Sequence, residues 1–132
     1  MHTIDEKYVF SGRLDIDSLD KLYGNDLKKA VEVFKSSLQD IQEELELSEI
    51  HFKNNDVEGL LTSCISIRSS ASNVGLTRFA EYVQTFEDVC KHAKNTDEIK
   101  ETFFQLNMLI TEAVYVIRQE LIRMRMFLNV RA

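Results

Sequence analysis

The chain has no proline, no tryptophan and only four glycines in 132 residues. Without proline, and with so little glycine, the strongest turn and strand-edge signals are missing, which leaves long stretches free to be helix. Cysteine is nearly absent too: Cys64 and Cys90 form no CxxC pair, and with no secretory context they are expected to be buried, reduced core thiols. No run of about 18 apolar residues occurs, and residues 1–15 lack the charged-then-apolar order of a signal peptide. The expectation is a soluble, cytoplasmic protein with no membrane partner. Positive charge is also in deficit, at 16 Lys+Arg against 22 Asp+Glu and a net charge of -6, so the whole molecule repels phosphate backbones and nucleic acid is excluded as a partner. Arg118, Arg123, Arg125 and Arg131 are interleaved with apolar residues at helical spacing and are read as a solvated face.

Reactive constellations are equally scarce. None of His2, His51 and His92 has a second histidine or a cysteine three or four residues away, and Cys90 and His92 would point roughly 200° apart on a helix. There is no Glu-x-x-His pattern on an inward stripe, no glycine-rich phosphate loop and no GxSxG elbow. No metal, no cofactor and no hydrolytic site is expected.

What is present is amphipathic pattern. Hydrophobic residues make up 44% and charged ones 29%, an ordinary globular composition that predicts one domain, set at residues 14–132 with a 13-residue extension ahead of it. Residues 17–23 predict a short helix capped by Asp17 or Ser18 and stopped at Gly24, and a second helix starts near Asn25 or Asp26. Leu27, Val31, Phe34, Leu38, Ile41 and Leu45 then form one stripe up to about Phe52. Asp56 opens a third helix with Val57, Leu60, Cys64, Ile67, Ala71 and Val74 inward and Gly75 at its end. A fourth carries Phe79, Val83, Phe86 and Cys90. Asn95 and Glu98, at capping-box spacing, open the last and longest, whose stripe runs from Ile99 to Leu128. Four long helices joined by short polar breaks predict an all-α, up-down-up-down four-helix bundle with a small N-terminal helix lidding one end.

The segment CISIRSSASNVGLTRFAEYVQTFE, residues 64–87, resembles the centre of histidine-containing phosphotransfer (HPt) domains, whose motif is approximately His-x-Leu-Lys-Gly-Ser-Ser/Ala-x-x-hydrophobic-Gly. Anchored on Gly75, Val74 takes the hydrophobic position, Ser70 and Ala71 the small pair, Arg68 the lysine and Ile67 the leucine, with Phe79, Phe86 and Glu87 continuing downstream. Residues 14–38 are similar to the family's opening. Two positions depart: Ile65 stands where the phosphoacceptor histidine belongs, and Ser69 where the family has glycine.

The resemblance implies a phosphorelay protein whose partners are response-regulator receiver domains or hybrid histidine kinases. Phosphoryl transfer needs an imidazole lone pair, and isoleucine has no nucleophilic atom. The departures therefore imply a pseudo-phosphotransfer module with no catalytic residue, docking through Leu61, Ile65, Arg68, Ser69 and Ser72, with Ser70 and Gly75 holding the motif's frame. Arg68 is expected to meet the acidic pocket of a receiver. Two alternatives stand beside this: an active protein using His51 or His92 as a displaced acceptor, and a structural bundle dimerising through Met126 and Phe127. A monomer is expected over a dimer.

Overall fold

The computed structural model describes residues 7–131, with side chains through Asn129. Its helices are α1 (Ile16–Tyr23), α2 (Leu27–Lys53), α3 (Val57–Asn73), α4 (Thr77–His92) and α5 (Lys100–Arg131), with a 3-10 turn at Thr96–Ile99 before α5. Each of α2 to α5 packs beside the next, and α5 returns against α2, so the four long helices close into an antiparallel bundle with α3 and α5 on opposite corners.

The ends follow from local chemistry. Asp15, not Asp17 or Ser18, caps α1: its Oδ1 accepts the Ser18 N–H at 3.1 Å, which moves the helix start one residue earlier than the sequence suggests. Gly24, with φ of +54°, ends α1 as expected. Asp26 and Asp56 cap α2 and α3 through the N–H groups of Lys29 and Gly59. Asn95 accepts from Glu98 N–H, while the Glu98 carboxylate takes the N–H of Lys94, so Ile99 belongs to the 3-10 turn rather than to α5.

The inward stripes of α3, α4 and α5 largely match their periodicity; α2 is rotated. Its fully buried line is Ala30, Phe34, Ser37, Ile41 and Ser48, while Leu27, Val31, Leu38 and Leu45 flank it half-buried. The line faces inward because α2 packs against both α3 and α5, and the small Ala30, Ser37 and Ser48 are buried there alongside Phe34 and Ile41. Residues 7–13 lie on the bundle: Phe10 is buried and stacks on Phe34 with ring centroids 6.2 Å apart, and Tyr8 meets Phe10 and Phe127 edge-on. Phe127, expected at an open seam, is half-buried there.

Candidate functional site

Serine at 63, 66, 69, 70 and 72 gives α3 a poor intrinsic helix propensity, so burial must hold it. Leu60, Cys64, Ile67 and Ala71 are fully buried, and Ser63 and Ser70 sit beside them where small side chains let α2 and α4 approach. Cys64 and Cys90 are both buried free thiols. Burial first, and the nearby Glu87 carboxylate with it, pushes the Cys90 thiol up to about 11, and Cys64 rises further, so neither supplies a thiolate near neutral pH.

The outer face of α3 carries Ile65 at 44% exposure, with Ser69 and Ser72 exposed and Leu61 and Arg68 half-exposed. Positions 61, 65, 69 and 72 follow one another by three or four, and 68 stands three from 65 and four from 72, so one helix face holds them all. The Ser72 hydroxyl donates back to Arg68 O at 3.1 Å.

Arg68 is not a loose cation. Its Nε donates to Glu87 Oε2 at 2.6 Å and a terminal nitrogen donates to Oε1 at 3.1 Å, a two-pronged clamp from α3 to α4. Glu87 is only 3% exposed. The hydrogen bond to Glu87 raises the guanidinium pKa above its already high ordinary value. Arg68 thus braces the helix pair, a role the sequence alone assigns to docking. Glu87 was the missing partner, and its signal lay in Val83, Glu87 and Cys90: a carboxylate at four-and-three spacing on an apolar stripe requires a cation.

The end of the site is fixed by a tight stop. Gly75 N–H donates to Ser72 O and Leu76 N–H to Ala71 O, the paired bonds of a Schellman ending, and Gly75 has φ of +75°. A Cβ there would also lie 2.9 Å from the Leu19 side chain. Around it α1 closes in: Asp15 N–H donates to Gly75 O at 2.8 Å, the Thr77 hydroxyl donates to Asp15 Oδ2, and the Tyr23 hydroxyl donates to Asn73 O at 2.6 Å.

The other candidate nucleophiles lie elsewhere. His51 pairs through Nδ1 with Asp56 Oδ2 at 3.1 Å in the α2–α3 turn, and His92 Nδ1 lies 2.8 Å from Asp88 O at the end of α4. His2 lies outside the described residues. Among the described residues no cluster of three or more His, Cys, Asp or Glu could hold a metal ion, and no helix is long and apolar enough to cross a membrane.

The family model of the Hpt domain matches residues 29–125. The chain belongs to the Hpt-domain family. Hpt domains are phosphotransfer carriers that work between receiver domains and kinases rather than classical enzymes, which puts this protein in phosphorelay signalling. The match spans the whole of α3 and α4, including Ile65, Arg68, Gly75 and Glu87, but begins after α1. No curated protein and no solved structure matches the chain.

Proposed function

We propose that this Hpt-family bundle docks receiver domains or histidine kinases through the outer face of α3 without accepting phosphate, acting as a decoy or scaffold in a relay. The observation that carries it is Ile65: an exposed aliphatic side chain stands at the phosphoacceptor position in a helix whose frame, from Ile67 to Gly75, keeps the family pattern apart from Ser69. Taking a phosphoryl group from an aspartyl phosphate needs a side-chain lone pair that can attack phosphorus, and Ile65 has none. What Ile65 does have is apolar surface ringed by the small Ser69 and Ser72, a surface suited to close approach of a partner backbone. Leu61 extends the apolar spot. Arg68, its charge compensated by Glu87, contributes the accessible edge of its guanidinium and holds α3 in place.

The test is incubation of the protein with radiolabelled phospho-receivers from the same genome, scoring label transfer and binding in parallel. Binding without transfer, weakened at least tenfold by Ile65→Asp, is expected. Acid-labile, base-stable label on His51 or His92 would overturn the non-accepting role, and unchanged affinity in Ile65→Asp would remove the α3 face as the docking site.

A further inference from the structure

α5 buries one stripe in the bundle and leaves a second apolar stripe outside. Phe104, Met108, Tyr115, Ile122 and Met126 are each more than half exposed, and on a helix of 100° per residue they fall within about 40° of one another. The stripe is about 33 Å long at 1.5 Å per residue. Scattered exposed aliphatics are ordinary, but five large ones in register along one helix are not.

Their spacing says what covers them. Measured from Tyr115, the stripe runs to Met108 and Ile122 seven residues either way, and to Phe104 and Met126 eleven residues either way. Thr111 and Gln119, four residues either way, fill the remaining gaps on the same face. A stripe that reads the same in both directions is self-complementary under a two-fold axis through its centre, which is the requirement of an isologous contact. Charge selects the same orientation. Within α5, the half before Tyr115 carries Glu101 and Glu112 against Lys100, while the half after it carries Arg118 and Arg125 beside the paired Glu120 and Arg123. An antiparallel pair lays the acidic half of one α5 along the basic half of the other; a parallel pair would set like against like.

We infer that the outer face of α5 binds a second copy of this chain, forming an antiparallel α5–α5 dimer with Tyr115 at the two-fold axis. Phe104 then meets Met126 of the second copy, and Met108 meets Ile122. A large side chain presents about 150–250 Å², so five half-exposed ones remove roughly 600 Å² per copy. The total of about 1,200 Å² is at the lower edge of stable interfaces, which predicts a reversible dimer dissociating on the order of micromolar concentrations. Because α5 and α3 occupy opposite corners of the bundle, both Ile65 faces stay open in the dimer. The inference does not depend on what those faces bind.

Sedimentation equilibrium of the full chain from about 1 to 200 micromolar tests it. A monomer–dimer equilibrium is expected, shifted at least tenfold toward monomer by Tyr115→Glu, an exposed substitution whose intact fold is checked by its thermal melt. Thiol cross-linking reads the register, since native Cys64 and Cys90 are buried. Tyr115→Cys should cross-link to itself, and Phe104→Cys should cross-link to Met126→Cys but not to itself. A monomer throughout the range, a dimer indifferent to Tyr115→Glu, or self-linking of Phe104→Cys without the mixed product would each overturn the proposal.

Discussion

Among the described residues two glutamates are buried, and they are held in different ways. Glu87 on α4 is 3% exposed and receives its two hydrogen bonds from one side chain, Arg68. Glu120 on α5 is 1% exposed, but its donors are the Tyr8 hydroxyl at 2.7 Å, the Ser11 N–H at 3.1 Å and Arg123 at 2.8 and 3.0 Å. The first is a two-residue clamp beneath the candidate docking face. The second is a distributed network that ties the segment before α1 to the last helix. A buried carboxylate with one partner is vulnerable to the loss of that partner; one with three sources of donors is not.

The sharpest way to break the comparison is Arg68→Ala. Glu87 would be left buried without its cation, and a loss of about 3–5 kcal/mol is expected in urea unfolding. Replacing both members, Arg68→Leu with Glu87→Leu, should recover most of that loss, because no uncompensated charge remains. A double variant as unstable as the single one would show that the pair matters for shape rather than charge. Arg123→Ala should cost less, about 1–2 kcal/mol, since the Tyr8 hydroxyl and Ser11 N–H still serve Glu120. If the two arginine variants lose equal stability, the distinction between clamp and network fails.

How much of this was legible in the sequence depends on whether a position's neighbours were local. The inward stripe of α3 was readable because Leu60, Cys64, Ile67 and Ala71 are apolar and repeat at three and four. The centre of α2 was not, since Ala30, Ser37 and Ser48 carry no strong apolar signal and only packing between two helices selects them. Ile65 could be placed outward from helix geometry alone. The engagement of Arg68 could not, because Glu87 lies 19 residues away and is brought to it by the α3–α4 turn. The cap of α1 was missed by two residues for a similar reason: Asp15 is anchored by its N–H on Gly75 O, a contact between distant segments. Likewise Phe127 looked free for an interface until Tyr8 came to lie against it.

The smallest expected effect sharpens the network side. Burial, then the hydrogen bond to Glu120, raises the Tyr8 phenol above its ordinary value of 10.0, and the neighbouring Arg123 only partly opposes this. A raised folded pKa gives stability that is fully present below the unfolded value and lost as pH rises through the folded one. Unfolding midpoints in urea should therefore fall above about pH 10, and Tyr8→Phe should remove part of that fall. At neutral pH the same variant should lose only about 1 kcal/mol. An identical alkaline profile in both proteins would mean that Tyr8 is not the titrating group.

Gly75 bears on the order in which this molecule comes apart. Its carbonyl is held by α1, its N–H by the last turn of α3, and its missing Cβ makes room for Leu19. The C-terminal turn of α3 therefore cannot fray on its own; it opens only when α1 lifts. Amide hydrogen exchange at Gly75 and Leu76 should then follow that of α1 as one cooperative unit. The short helix that precedes the matched family residues would thereby act as the latch on the helix that carries Ile65.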